Sequence, residues 1–212
     1  MPVQAVAWDI DGTLVDSEPL HQEALMAVVV AHGVDLSDLL PDVFVGVSLP
    51  DVWKAIGDRF HADMRFEDFD RLVCDHYRAN MQRLTAMPDV NRVMQALHER
   101  GIAQIAVSNS NRVVVDTNLR AIGAADHIAF SISLDDVPVG KPDPAPYRLG
   151  AARLGLPADT ILAVEDSATG LASARAAGMK TALYCPGGRA CGPADHLVTE
   201  MTAILDMLDA DS

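Results

Sequence analysis

The chain has 212 residues, half of them hydrophobic and 22% charged, a composition that suits one folded domain or a core with a modest insertion and excludes a disordered segment. Sixteen basic residues against 30 acidic ones leave a formal charge of −14, so the chain has no electrostatic footprint for nucleic acid or for an anionic membrane. A phosphorylated substrate stays open, because a bound divalent cation can supply local positive charge. The longest apolar run, Ala24 to Ala31, is far shorter than the roughly 20 residues of a membrane span. The N-terminal MPVQAVAWDID has no basic region and turns acidic by Asp9, which is not the pattern of a secretory signal. Cys74, Cys185 and Cys191 form neither an even framework nor a CxxC pair. Three inert thiols in a reducing cytoplasm are therefore expected.

In chain order, the first element is a short apolar run, Val3–Trp8, with the character of a buried strand. About 90 residues separate it from the next such run, far more than one crossover helix needs. That interval opens with Asp16-Ser17-Glu18-Pro19, a capping residue followed by an early proline, and continues with Leu20, Ala24, Val28 and Ala31 at helical spacing. Asp51–Phe60 and Glu67–Leu84 also read as helices. A helical insertion over 17–87 is expected, carried on a core of 1–16 and 88–212. Met26, Met64, Met81 and Met87 are expected to pack it, with Phe44, Trp53, Phe60, Phe66 and Phe69. Because the insertion leaves the carboxyl end of the first strand, it is placed to act as a lid. Further strands are expected at Ile102–Val107, Ile161–Val164 and Thr181–Tyr184, and helices near Asn111–Ile122, Pro144–Leu154 and Ala168–Ala177. Alternating strands and helices predict an α/β fold with a mostly parallel sheet, which binds ligands at the carboxyl ends of its strands.

Polar residues gather at four of those ends. The first strand runs into Asp9-Ile10-Asp11-Gly12-Thr13. Residues i and i+2 share a face of a strand, so Asp9 and Asp11 can enter one pocket, where a cation or a proton must relieve their repulsion. Gly12 permits a sharp turn and a close approach to a ligand. Asp-Gly after a strand is also simply a turn. Ser108-Asn109-Ser110 follows the second strand and could offer a hydroxyl and backbone N–H groups to an anion, or merely cap a helix. Lys141, between Gly140 and Pro142, could hold a phosphate oxygen or sit on a surface turn. Glu165-Asp166-Ser167 could complete a Mg²⁺ site or cap the helix that follows. Together the four supply a nucleophile, an acid, anion donors and metal ligands.

The motifs DIDGTLVDS, VSNS, KPDP and VEDS, in this order, resemble the four motifs of the haloacid dehalogenase superfamily over nearly the whole chain. DIDGTLVDSEPLH with a helical insertion behind it resembles the subfamily with a small helical cap, which includes beta-phosphoglucomutases, sugar-phosphate phosphatases and phosphoglycolate phosphatases. Trp8 stands where that family usually has Phe. The resemblance implies a Rossmann-like parallel-sheet core with an inserted all-α cap. It implies that Asp9 attacks phosphorus to form an aspartyl-phosphate and that Asp11 is the general acid and base. Ser108 and Lys141 would hold the phosphoryl oxygens. Mg²⁺ would sit on Asp9, the Asp11 carbonyl and Asp166, with Glu165 close by. Gly12, Thr13 and Asn109 would support the phosphate site, and His21 and Gly46 would belong to a cap hinge and a specificity loop.

In this resemblance the second aspartate, Asp11, favours phosphoryl transfer over dehalogenation. Leu49 and Val73 stand where beta-phosphoglucomutases carry basic groups for a second phosphate, which favours a phosphatase; Lys54, Arg59 and Arg78 could substitute. The expected function is a cytoplasmic, monomeric Mg²⁺-dependent phosphatase of small phosphorylated metabolites, sugar phosphates foremost, with neither nucleic acid nor membrane as partner. A phosphosugar mutase and a catalytically idle binding protein are the competing expectations.

Overall fold

A computed structural model describes residues 2–40, 42–188 and 192–210; Cys191 lies outside the described residues. In chain order the elements are β1 (Ala5–Trp8), β2 (Val15–Asp16), α1 (Glu18–Ala31), α2 (Leu49–Ile56), α3 (Phe66–Ala79), β3 (Thr85–Ala86), α4 (Val90–Glu99) and β4 (Ala103–Val107). They continue with α5 (Arg112–Ala121), β5 (Phe130–Ile132), α6 (Ala145–Leu154), β6 (Ile161–Glu165), α7 (Ala168–Ala176), β7 (Lys180–Tyr184), β8 (His196–Val198) and α8 (Ala203–Ala210). They form two compact units, Met1–Asp16 with Thr85–Ser212, and Ser17–Leu84. The second join falls three residues before the expected one because Asp16 and Val15 pair with Thr85 and Ala86 in a small antiparallel ribbon, which ties both chain crossings to the first unit.

The first unit carries a six-stranded sheet in the order β5-β4-β1-β6-β7-β8. Every neighbouring pair is parallel. Parallel strands covered on both faces read as continuous apolar runs, and Ala5, Val6, Ala7 and Trp8 are all fully buried. From β1 the chain goes first to β4 on one side and later to β6 on the other, so the order reverses around β1. An open α/β sheet presents its binding crevice at such a reversal, outside the carboxyl ends of the strands.

Trp8 brings an indole N–H that must be satisfied in the core. Its Nε1 donates to Gln104 Oε1 at 3.0 Å, and Gln104 Nε2 donates to the Met94 carbonyl at 2.9 Å. Gln104→Leu strands the indole N–H, and is expected to destabilise the protein by about 1–3 kcal/mol in urea unfolding. Adding Trp8→Phe should recover part of that loss; a single variant within about 0.5 kcal/mol of wild type would show that the pair does not matter.

The second unit is helical. Leu20, Ala24, Leu25, Val28 and Val29 form the buried stripe of α1, and Phe69, Val73, Cys74 and Tyr77 that of α3. Trp53 lies against Phe60, Phe66 and Phe69 with ring centroids 5.5, 6.4 and 5.1 Å away. Two packing expectations need correction. Met26 is 43% exposed because it falls on the side of α1 away from that stripe, and Met87 belongs to the first unit. The expected long helices also end early, α2 at Ile56 and α3 at Ala79, each followed by a single tighter turn. Cys74 and Cys185 are buried thiols outside any disulfide among the described residues. No helix among the described residues is long and apolar enough to cross a membrane.

Candidate active site

The three central strands deliver the site. β1 runs directly into Asp9, whose N–H extends the pairing to β6 by donating to the Val164 carbonyl at 2.9 Å. β4 ends one residue before Ser108, and Glu165 is the last residue of β6. Beyond Asp9 the chain turns back: the Ile10 carbonyl accepts from Leu14 N at 2.9 Å and Val15 N at 3.0 Å. Gly12 makes that turn with φ of +83°, and a Cβ there would lie 2.1 Å from Asp166 Oδ2. Glycine is required on both counts, for the left-handed backbone and for the approach of Asp166. Ser167 caps α7, accepting from Gly170 N at 3.0 Å, and Asn111 caps α5, accepting from Val114 N at 3.1 Å. The capping work falls to those residues and leaves the side chains before them for the site.

Lys141 stands at the centre. Its Nζ donates to Asp9 Oδ1 at 2.7 Å, Glu165 Oε1 at 2.6 Å and the Val107 carbonyl at 2.8 Å. These contacts use all three ammonium protons. Burial alone would depress this lysine, but Asp9 and Glu165 outweigh it and hold it above the ordinary lysine value. Tyr147 donates its hydroxyl to the same Glu165 oxygen, and burial, followed by the Glu165 charge, keeps that phenol protonated. Glu165 Oε2 accepts from Ser167 Oγ at 3.3 Å. Asn109, expected to support the phosphate site, binds the main chain of Lys141 at both ends. Its Oδ1 accepts from Lys141 N at 2.7 Å, and its Nδ2 donates to the Lys141 carbonyl at 2.9 Å. A carboxamide matches a peptide N–H and C=O together, so Asn109 fixes the loop that aims the lysine.

One carboxylate oxygen from each of Asp9, Glu165 and Asp166 lies within 4.8 Å of the others. Three carboxylates around one ammonium leave negative charge uncompensated when all are ionised. Burial, then the neighbouring Glu165 charge, pushes Asp9 well above the carboxylate range and Asp166 up to about 7. Asp9 Oδ2 and Thr13 Oγ1 are both buried without a hydrogen-bond partner. An orphaned carboxylate oxygen among clustered hard oxygen donors fits a divalent cation such as Mg²⁺. Asp9 Oδ2 and the Asp166 carboxylate are the candidate side-chain donors for it, while both Glu165 oxygens accept hydrogen bonds.

This environment gives a pH-dependent expectation. With its folded-state pKa raised, Asp166 contributes stability fully present below about pH 4 and lost as pH rises through about 7. A cation that binds the ionised carboxylates offsets the loss. In thermal melts, the stabilisation by Mg²⁺ over EDTA should therefore be larger at about pH 8 than at about pH 6. An equal increment at both would remove these carboxylates from metal binding.

Asp11 sits apart from the Lys141 cluster. Its Oδ2 accepts from Ser108 Oγ at 3.1 Å and Ser110 Oγ at 2.9 Å, and its Oδ1 accepts from Asn118 Nδ2 at 2.9 Å. Ser110 and Asn118 are additions to the expected site. Asn118 is legible in principle, since a carboxamide among Val114, Val115 and Leu119 interrupts the buried face of α5. Asp9, Asp11, Gly12, Thr13, Ser108, Asn109, Lys141, Glu165 and Asp166 all belong to the first unit; His21 and Gly46 belong to the second. His21 stacks on Tyr77 with centroids 4.5 Å apart, and Gly46 takes a left-handed φ of +68° in an exposed turn.

Residues 3–178 match the haloacid dehalogenase-like hydrolases, and the chain belongs to that family of hydrolases. It is 30% identical to the plasmid-encoded phosphoglycolate phosphatase of Cupriavidus necator, across 98% of this chain and 94% of that protein. It is 29% identical to hexitol phosphatase B of Escherichia coli K12, across 84% of this chain and 82% of that one. Among solved structures, CbbY from Rhodobacter sphaeroides in complex with phosphate shares the fold with a TM-score of 0.84. That likeness covers 98% of this chain and 99% of that one at 24% identity.

Proposed function

We propose that this hydrolase is a Mg²⁺-dependent phosphatase of small phosphorylated metabolites, with sugar or hexitol phosphates and phosphoglycolate as the substrate classes to test. The observation that carries this reading is Asp9 itself. One of its oxygens is held by Lys141 and the other is buried and unpartnered, at the carboxyl end of the central strand. A Mg²⁺ held by Asp9, Asp166 and the Asp11 carbonyl would neutralise charge on the phosphoryl oxygens.

This chain's residues do the rest. Asp9 attacks phosphorus as the ester P–O bond breaks, and Asp11 gives its proton to the departing oxygen. Water then attacks the aspartyl-phosphate, Asp11 takes the water proton, and phosphate leaves with Asp9 regenerated. Lys141 keeps Asp9 aligned, Glu165 and Tyr147 keep Lys141 aligned, and Ser108 reaches the incoming phosphoryl group from the end of β4. Such a reaction is catalysed largely by positioning and charge neutralisation.

The helical unit supports the phosphatase over a mutase. Val73 is buried among the helices, while Lys54, Arg59 and Arg78 pair with Asp51, Asp38 and Asp75. None of these positions offers an uncommitted cation to a second phosphate. The test is phosphate release from phosphoglycolate, hexitol phosphates and sugar phosphates, with Mg²⁺ and with EDTA. Mg²⁺-dependent release from one class supports the reading; turnover only in the presence of an activating bisphosphate would replace it with a mutase.

A further inference from the structure

We propose that Asn118 is a positioning residue for the general acid: its carboxamide, with the Ser110 hydroxyl, sets the direction in which the Asp11 carboxyl faces the leaving group. The inference rests on the phosphatase reading above. Asn118 is fully buried on α5 and therefore does not reach substrate. Its Nδ2 meets Asp11 Oδ1 at 2.9 Å, while Ser110 Oγ meets the other oxygen at 2.9 Å. Ser108 Oγ also meets that second oxygen at 3.1 Å, and donors on different oxygens fix the carboxyl plane more firmly than donors on one oxygen do. Asparagine also disfavours a helix interior, because its side chain competes with the backbone for hydrogen bonds. Of its neighbours on the buried face, Val114, Val115 and Leu119 are apolar and Thr117 gives its hydroxyl to the Val113 carbonyl, so the carboxamide needs a polar partner elsewhere, and Asp11 is one.

The placement also makes Asp11 depend on two separate pieces of backbone. Ser108 and Ser110 come from the loop after β4, and Ser110 N donates to Ser108 Oγ at 2.9 Å, so those two hydroxyls move together. Asn118 comes from the second turn of the helix that follows, anchored at its start by the Asn111 cap. The loop by itself holds one carboxylate oxygen; the helix supplies the hold on the other.

The reaction offers a readout that general loosening of the structure would not move. A phosphoglycolate or hexitol phosphate ester releases a poor leaving group that needs a proton from Asp11. The ester 2,4-dinitrophenyl phosphate releases an anion that leaves without one. Because kcat/KM reports only steps through the first phosphoryl transfer, it isolates this proton from the later activation of water. Asn118→Leu keeps a branched side chain and removes the donor. It should lower kcat/KM for the better alkyl phosphate by about 10- to 100-fold and for the dinitrophenyl ester by less than about 3-fold. Asn118→Ser, which stays polar but is too short to keep the bond to Asp11 Oδ1, should move the same ratio in the same direction, so the test survives if Asn118→Leu folds poorly. Equal losses on both esters, or no loss on either, would overturn the proposal. No Mg²⁺-dependent phosphate release by the wild type from either ester would overturn the phosphatase reading instead.

Discussion

Asp9→Asn is expected to lower phosphate release by about 10,000-fold or more at saturating Mg²⁺, while the variant still folds. The carboxamide oxygen can keep the bond from Lys141 Nζ that Asp9 Oδ1 now accepts at 2.7 Å, so the local geometry has an acceptor where it needs one. What is lost is the anion that attacks phosphorus, together with one carboxylate of the metal cluster. Steady-state release and a rapid-quench search for the phosphorylated enzyme check both aspects. Wild type should carry phosphate on one aspartate during turnover and the variant none. Retention of more than about 1% of the wild-type rate would mean that water attacks directly and that Asp9 only binds metal.

The second large effect is on folding. Lys141→Met removes the ammonium shared by Asp9 and Glu165 while roughly preserving side-chain volume. Both partners are buried, with side chains 10% and 1% exposed, so the lost charge is not replaced by solvent. Breaking a buried ion pair by deleting one partner typically costs about 3–5 kcal/mol, because the remaining charge must be buried alone or neutralised by a proton. Two carboxylates lose their cation here, so the effect should lie toward the upper part of that range in Mg²⁺-free urea unfolding, with turnover abolished. Excess Mg²⁺ should recover part of the stability, since it supplies positive charge to Asp9, but not the activity. A loss below about 1 kcal/mol without Mg²⁺ would show that the carboxylates are already protonated in the folded protein.

Periodicity and punctuation made the strongly patterned elements legible. β1, β4, β6 and β7 fall where short apolar runs meet polar strand ends, and α1 begins at Glu18 with Pro19 in its first turn, although Ser17 in the cap position makes no side-chain cap hydrogen bond. The edge strands were not legible. β5 has three residues with only Ile132 buried, and β8 exposes His196 and Leu197, so neither carries the apolar signature of a strand covered on both faces. The ribbon of β2 with β3 has two residues a side and exists only because distant segments meet. α4 could have been read, for Val90, Val93, Met94 and Leu97 follow helical spacing.

The same division runs through the site. The chemical inventory is local: DxDGT, the serine after β4, the lysine between Gly140 and Pro142, and the acidic pair closing β6 each occupy a few consecutive residues, and strand ends are where such residues gather. Which groups share a proton or an ion pair is not local. Only the tertiary structure turns Asn109 onto the Lys141 backbone, gives Glu165 to Lys141 and Tyr147, leaves Asp9 Oδ2 buried without a partner, and brings Asn118 to Asp11. Those partners lie up to 107 residues apart in the chain, and no spacing rule relates them. They meet because the sheet order reverses around β1, which sets the ends of β4 and β6 on either side of the nucleophile. Once they are buried there, the cost of an unpaired charge selects which side chains pair.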